Sequence, residues 1–305
     1  MRHVALVVNP AAGHGRGRRL TSPIELRLMD AGVRVTRTLA RSQEHAWEAC
    51  FEAVNSGVDS LAVVGGDGMA HIGLNACANS GVPLGVIPAG TGNDFSRGVG
   101  NGQTWRQATD AVASGHTRTI DLAEVRGGLY HREVEYVGCV VSTGFDERVN
   151  SRANNAKVDL GHLSYIGAVL AEMRAFRPLH YRLELDGERR DLDAILIAVI
   201  NSGIFGGGIK LEPTYDLTDG LLDIVIVHPV SWRVLAALLP KIAAGKEFDH
   251  PALERLKVRR ARVDGDGLFG MADGEPLGRP PFTITAAPGA LDIHVLHPAK
   301  TGKEA

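Results

Sequence analysis

Cysteine is scarce in this chain: Cys50, Cys77 and Cys139 are the only three in 305 residues, and no two stand at C-x-x-C or zinc-ligand spacing. A disulfide scaffold and a structural zinc site are excluded, and the usage predicts a reducing, cytoplasmic compartment. No apolar run approaches the ~20 residues of a spanning helix, and no leader opens the sequence, so neither a transmembrane anchor nor a signal peptide is expected. Excess charge is missing too. With 33 Lys+Arg against 35 Asp+Glu the formal net charge is -2, too balanced for a nucleic-acid coat or a polybasic membrane tether. No nucleic-acid partner is expected. Trp47, Trp105 and Trp232 are spread apart and read as core or half-buried residues rather than a lipid-docking cluster. Internal repeats, low-complexity segments and long linkers are absent.

What is present is a globular composition, 44% apolar and 22% charged, at about twice the usual domain length. Val4–Val8, Val33–Thr38, Ser60–Val64 and Leu84–Ile87 are short, β-branched, strand-like runs, and Arg18–Ala31, Gln43–Ser56 and Met69–Asn79 between them carry helix-spaced apolar residues. That alternation predicts a parallel sheet with helices on both faces, binding ligands at the carboxyl ends of its strands. After about Arg126 the rhythm changes. Glu133–Ser142, Tyr181–Asp186, Asp193–Asn201, Leu222–His228, Leu256–Asp264 and Pro281–Ala286 follow as strands, with helices only at Ser164–Phe176 and Trp232–Ala244. The fold expected is α/β plus all-β: an N-terminal parallel-sheet nucleotide-binding domain over 1–125 and a C-terminal antiparallel β-sandwich domain over 126–289. The active site is expected in the interdomain cleft. One more strand, Leu291–Leu296, can return to either domain, so the tail 290–305 is a candidate addition to the first.

Three glycine-rich turns end strands of the first domain. Gly65-Gly66-Asp67-Gly68 closes an apolar strand and opens a helix; glycines there permit φ > 0 and let backbone N–H groups approach an anion, which the helix N-terminus also favours. The alternative is a tight strand-to-helix turn with Asp67 as a cap. Asn9-Pro10-Ala11-Ala12-Gly13-His14-Gly15 and Pro88-Ala89-Gly90-Thr91-Gly92-Asn93-Asp94 are the other two. No G-x-x-x-x-G-K-[ST] and no G-x-G-x-x-G occurs, so a phosphate site here is neither a P-loop nor a dinucleotide fingerprint. In the second domain, Asp216 and Asp219 lie three residues apart on a turn. Hard oxygen ligands of that kind suit Mg²⁺, and a solvated Asp-rich turn is the alternative. Asp273-Gly274-Glu275 is a second acid pair that also has the signature of an ordinary hairpin turn.

In this order the motifs resemble the diacylglycerol kinase catalytic family, soluble bacterial lipid kinases related to sphingosine and ceramide kinases. The resemblance runs from Asn9-Pro10 through Gly65-Gly66-Asp67-Gly68, Gly90-Thr91-Gly92-Asn93-Asp94, Ile120-Asp121-Leu122, Thr143-Gly144-Phe145-Asp146, Gly206-Gly207-Gly208 and Asp219-Gly220-Leu221-Leu222-Asp223 to Asp273-Gly274-Glu275. Phe145-Asp146 through Arg177-Pro178 is most similar to the enzymes of high-GC Gram-positive bacteria. The resemblance implies ATP-dependent phosphorylation of a lipid hydroxyl, diacylglycerol giving phosphatidic acid. It places the nucleotide on Asn9, Pro10, Ala11, Ala12, Gly13, Thr38, Gly65, Gly66, Asp67, Gly68, Met69, Ala70, His71 and Thr91, with Thr36 an alternative match for Thr38. Asn93 and Asp94 fall in the same loop network. Mg²⁺ matches Asp216, Asp219 and the Leu221 carbonyl, and Glu275, with Asp273 beside it, matches the acid that accepts the substrate proton; Asp67 joins these as a catalytic candidate. Partners implied are the lipid and a peripheral membrane surface, with Lys257, Arg259, Arg260 and Arg262 as candidate head-group contacts on a strand face. The sequence leaves a homo-oligomer open.

Met69 and Ile72 depart from the pattern of many bacterial members, which follow G-G-D-G with a hydroxyl and soon an acid. Met69 removes one hydroxyl donor, and His71 resembles the sphingosine and ceramide kinase pattern unless it is a plain helix-surface residue. A kinase for a sphingoid-type lipid or NAD, and a lipid- or nucleotide-binding regulator without turnover, are the competing readings.

Overall fold

The computed structural model describes residues 1–100, 104–144, 178–206, 208–210, 212, 214–243 and 249–296. The readings at Phe145-Asp146, Ser164–Phe176, Arg177, Gly207 and Pro213 and in the tail beyond 296 lie outside the described residues. The chain divides into two compact units: Met1–Ile120 with the segment from Gly289, and Asp121–Pro288.

The first unit carries β1 (His3–Val8), α1 (Ala12–Asp30), β2 (Arg34–Leu39), α2 (Gln43–Asn55), β3 (Ser60–Gly65), α3 (Asp67–Cys77), β4 (Leu84–Pro88), α4 (Asp94–Val99) and α5 (Trp105–Ser114). The strands lie in the order β2-β1-β3-β4, all parallel. Val4–Val8 and Ser60–Gly65 are buried throughout, as strands covered on both faces must be, whereas β2 exposes Arg34, Thr36 and Arg37 at the edge. One face packs Val4, Leu6, Val8, Ala62 and Val64 on Ile24 and Leu28 of α1 and on Ala108 and Val112 of α5. The other takes α3, whose Gly73 lies against Val63 and Leu84, with α2 beside it. The chain turns one way from β1 to β2 and the other way to reach β3, so the topological switch falls between β1 and β3.

In the second unit β5 (Thr117–Leu129) enters from the first, followed by β6 (Val134–Val137), β7 (Val140–Thr143), β8 (Leu179–Leu185), β9 (Glu188–Ala194), β10 (Leu196–Ile200), β11 (Ile204–Phe205), β12 (Ile209–Lys210) and β13 (Leu222–Val227). Then come α6 (Trp232–Ala243), β14 (Leu253–Val258), β15 (Arg260–Asp264), β16 (Gly270–Ala272) and β17 (Glu275–His294). One layer runs β14-β13-β10-β7-β16-β17; in the other β15 pairs with β17 and β8, and β8 with β9. Val141, Ile197, Val199, Ile224 and Ile226 of the first layer meet Tyr181, Leu183, Val263, Phe282 and Ile284 of the second in one core, a β-sandwich-like arrangement.

Two strands read as continuous are each broken, for the same reason. Between β6 and β7 the N–H groups of Gly138, Cys139 and Val140 point to the Asp273 carboxylate, and between β14 and β15 those of Arg259 and Arg260 point to Asp186. Side-chain oxygens take the donors a ladder would use. The tail strand is the end of β17 and returns to the first unit: Ile293 lies parallel to Leu84 of β4, and His294 Nε2 is 2.9 Å from Ser60 Oγ. Among the described residues no helix is long and apolar enough to cross a membrane.

Candidate active site

The three glycine-rich loops converge at the carboxyl edge of the parallel sheet, at the switch between β1 and β3. Asn9 N–H donates to the Val64 carbonyl at 2.9 Å, and Ala89 N–H donates to the Gly65 carbonyl at 2.8 Å. Glycine is needed for this closeness. A Cβ on Gly13 would stand 2.1 Å from the Ala89 oxygen, one on Gly17 2.0 Å from the Asn9 oxygen, and one on Gly90 2.5 Å from Gly66 Cα. Gly13, His14 and Gly15 all hold positive φ, at 55°, 56° and 83°, so the regular part of α1 starts after them. A non-glycine residue held there, between two glycines, is local strain at the strand end where ligands of this fold bind. Asn9 Oδ1 accepts the Ala11 N–H at 3.0 Å and fixes the first loop. Pro10, Ala11 and Ala12 complete it, and Gly68 with Asp67 forms the first turn of α3, whose N–H groups have no intrahelical acceptor.

Asp67 is half-buried. Its Oδ1 accepts the N–H groups of Asp94 at 2.6 Å and Phe95 at 3.3 Å, so it is indeed a cap, but of α4 rather than of its own helix. Burial pushes its carboxyl up to about 6, the Asp94 charge adds to the rise, and the N–H groups of Phe95, Asp94 and Asn93 oppose it. Asn93, in the left-handed region at φ 54°, accepts from Gly90 N–H through Oδ1 and donates through Nδ2 to the Gly90 carbonyl, closing the third loop into a ring. Thr91 is exposed between its two glycines and Asp94 is buried.

The remaining first-unit candidates separate. Thr38 lies one strand away on β2, opposite Val7, while the competing Thr36 is 2.8 Å from His3 Nε2. Met69, Ala70 and His71 are buried: Met69 covers Gly65, and the His71 ring meets Trp47 edge-on at 6.1 Å in the seam between α2 and α3. His71 is therefore not the helix-surface residue of the plain reading, and Met69 turns its side chain back onto Gly65.

In the second unit Asp273 and Gly274, at φ 50° and 91°, form a two-residue type I′ turn between β16 and β17, in which Ala272 pairs with Glu275. The two acids have opposite fates. Both Asp273 oxygens are engaged: Oδ2 accepts from Gly138 N–H at 3.0 Å, Oδ1 from Cys139 at 2.7 Å and from Val140 at 3.1 Å. Glu275 is half-buried, and its carboxylate makes no hydrogen bond or ion pair among the described residues.

Asp216, Asp219 and Leu221 share one turn. Asp216 Oδ1 accepts from Thr218 N–H at 2.9 Å and its hydroxyl at 2.8 Å, and Asp219 Oδ1 accepts from Leu221 N–H at 3.0 Å. Asp219 Oδ2 lies 2.9 Å from the Lys257 ammonium, which is also 3.4 Å from Asp223. Among the described residues no three His, Cys, Asp or Glu side chains gather as a metal cage. As they stand, these residues fit an ammonium and do not fit Mg²⁺, which takes near-octahedral oxygen ligation at about 2.0–2.1 Å. Lys257, which the sequence offers as a head-group contact, belongs in the fold to this turn. Sequence reasoning also passed over Asp121, a buried acid whose Oδ2 accepts Gly220 N–H at 2.8 Å, and Asn201, whose Nδ2 donates to the Asp121 and Gly138 carbonyls at 3.0 Å. Asp121 stood inside a motif; Asn201 gave no signal beyond a polar residue ending an apolar strand.

A parallel sheet with glycine loops at its carboxyl edge, followed by a β-sandwich-like unit, places an anion-binding edge at the switch point of an α/β sheet. Residues 3–125 match the diacylglycerol kinase catalytic domain, and residues 139–295 match the YegS C-terminal NAD kinase beta sandwich-like domain. The chain is 35% identical over 294 residues to a diacylglycerol kinase of Mycobacterium tuberculosis (strain ATCC 25618 / H37Rv), covering 95% of this chain and 94% of that one. It is 25% identical over 267 residues to a diacylglycerol kinase of Bacillus subtilis (strain 168), covering 87% and 86%. A solved structure of a diacylglycerol kinase from Bacillus anthracis str. Sterne shares the fold, with a TM-score of 0.73, 23% identity and 98% of each chain covered. The chain belongs to the diacylglycerol kinase catalytic domain family of lipid kinases.

Proposed function

We propose that this chain transfers the γ-phosphoryl group of ATP to the hydroxyl of diacylglycerol, giving phosphatidic acid. Support for the acceptor comes from the likeness to the Mycobacterium tuberculosis diacylglycerol kinase, which extends over nearly the full length of both chains. The observation that carries the reading is the convergence of Asn9–Gly13, Gly65–Gly68 and Gly90–Asn93 at the switch point, where three glycines admit backbone that no side chain would allow. Those loops would hold the nucleotide phosphates on backbone N–H groups, and Asp67 and Asp94 are the carboxylates beside them that suit Mg²⁺ accompanying the phosphates. ATP supplies the transferable phosphoryl group when bound. The protein's part is positioning and charge neutralisation, with one acid to orient and deprotonate the attacking hydroxyl.

Glu275 is that acid in this reading. Its carboxylate has no competing partner among the described residues, and the tight turn before it fixes where it starts. Asp273 is a positioning residue: it holds Gly138–Val140 and hence the turn. The sphingoid-type alternative rested on His71, which is buried against Trp47 and gives it no support. A chain whose Asp67 and Glu275 are both retained argues against a regulator without turnover. The lipid is met by peripheral surface contact, with Arg259, Arg260 and Arg262 exposed.

The deciding experiment offers purified protein Mg²⁺, labelled ATP and a panel of diacylglycerol, ceramide and sphingoid bases in mixed micelles, with NAD in a parallel reaction. Label in phosphatidic acid is the expected result. Label on another acceptor, or on none, overturns the reading.

A further inference from the structure

The Asp-rich turn of the β unit is where the family resemblance puts a divalent metal, and in the fold a different cation is bound there. We propose that the Lys257 ammonium takes the place of Mg²⁺ at the Asp216–Asp219–Leu221 turn, so that this turn keeps its conformation with no metal. The register delivers the lysine: β13 and β14 pair antiparallel with Asp223 opposite Lys257, two residues beyond Leu221 of the turn. From there Nζ reaches Asp219 at 2.9 Å and Asp223 at 3.4 Å, bridging the turn to the strand that follows it. A cation is needed at this place. Glu212, Asp216, Asp219, Asp223 and Asp121 all contribute to this region; Lys257 faces Asp219 and Asp223, and Arg255 lies 3.2 Å from Glu212.

Both Asp219 oxygens and Asp216 Oδ1 are already engaged. Asp216 holds Thr218, Asp219 holds Leu221 N–H, and Asp121 holds Gly220 N–H, three side-chain-to-backbone bonds that fix the turn without a metal. Mg²⁺ entering at Asp219 would have to displace Lys257 or sit beside its positive charge, and it gives up its water shell reluctantly. Because Lys257 is the ammonium that bridges Asp219 and Asp223, deleting it should open the turn to the metal that the lysine excludes. Family membership says only where a metal would be expected. The test reads melting rather than turnover, so failure of the kinase reading would leave the proposal intact.

Thermal unfolding of the full chain is followed without nucleotide, at matched ionic strength, in EDTA and in millimolar Mg²⁺. The parent is expected to melt at the same temperature in both. Lys257→Met should melt about 2–4 °C lower in EDTA and regain that loss in Mg²⁺, and Lys257→Arg should remain indifferent. A parent melting temperature that climbs saturably with Mg²⁺, with the climb abolished by Asp219→Asn, overturns the proposal. Lys257→Met melting like the parent in EDTA also overturns it. Should Lys257→Met fail to fold, the parent and Asp219→Asn decide.

Discussion

Acids are used in opposite ways by the two units. In the α/β unit Asp67 is half-buried, lies near a second acid and is tied to the first N–H groups of α4, and its carboxyl is pushed up to about 6. In the β unit the work is split: Asp273 saturates itself on three backbone N–H groups, and Glu275, two residues on, has no partner among the described residues. One acid serves structure and site together in the first unit; two adjacent acids divide those duties in the second. At the hairpin, then, a substitution can separate chemistry from folding.

The sharpest test of that division is at the hairpin. Glu275→Gln should lower kcat by about 10²- to 10⁴-fold, the usual worth of general-base assistance, with ATP affinity and melting temperature unchanged. Asp273→Asn should do the reverse. It removes a charged acceptor from three N–H groups, costing about 1.5–3 kcal/mol of stability, while kcat stays within about tenfold. If Glu275→Gln retains near-normal kcat and Asp273→Asn is inactive though folded, the roles are exchanged.

Asp67 should show both effects in one variant. A carboxyl held near 6 in the folded chain and near 3.8 unfolded binds more protons folded than unfolded, so stability falls as pH rises from about 4 to about 6 and the full cost is present above that. That cost is about 3 kcal/mol at neutral pH. Asp67→Asn keeps an oxygen for the Asp94 and Phe95 N–H groups and loses the charge. The variant should therefore melt higher than the parent at pH 7, match it near pH 4, and lose most of its activity. Melting curves across that range, read beside turnover, check this; a variant that melts lower at pH 7 would falsify the account of the buried charge.

Glycine substitutions compare crowding with backbone strain inside one loop cluster. Gly13→Ala meets both, a 2.1 Å approach to the Ala89 oxygen and positive φ, whereas Gly15→Ala meets positive φ alone with nothing within 4 Å. Gly13→Ala should cost about 1–3 kcal/mol more than Gly15→Ala and raise KM for ATP, as denaturant titration and initial rates would show. The smallest effect expected is at the surface. Arg260→Ala with Arg262→Ala should weaken binding to anionic vesicles by about 1 kcal/mol per residue, with the difference vanishing at high salt. Equal activity of parent and variant on neutral and anionic vesicles would remove this strand from the membrane contact.

Strand and helix order in the α/β unit was legible because its core strands are unbroken apolar runs ended by glycine, and the loops that meet in space are the ones that stand out in sequence. Asn9, Gly65–Gly68 and Gly90–Asp94 could be found that way. Less legible was what a side-chain oxygen does to a backbone far away in sequence. Asp273 and Asp186 each end a strand that reads as continuous, because β propensity says nothing about an acid 135 or 73 residues away. Asp67 reads as a cap, but its helix could not be named without the fold. Lys257 reads as one charge among four on a strand, and only the pairing of β13 with β14 reveals the acids it faces.

The return of β17 carries a consequence for biosynthesis. The α/β unit receives Ile293 beside Leu84, His294 on Ser60, and the Ala290 carbonyl as acceptor for Asn79 N–H, all from residues translated after the whole of the β unit. Domains usually complete themselves from the N-terminal end as they leave the ribosome. Here the unit that is translated first is finished last, since Asp121–Pro288 has all its strands available while the edge of β4 still waits for its neighbour. A released chain ending near residue 288 would hold the β unit whole and the α/β unit one strand short.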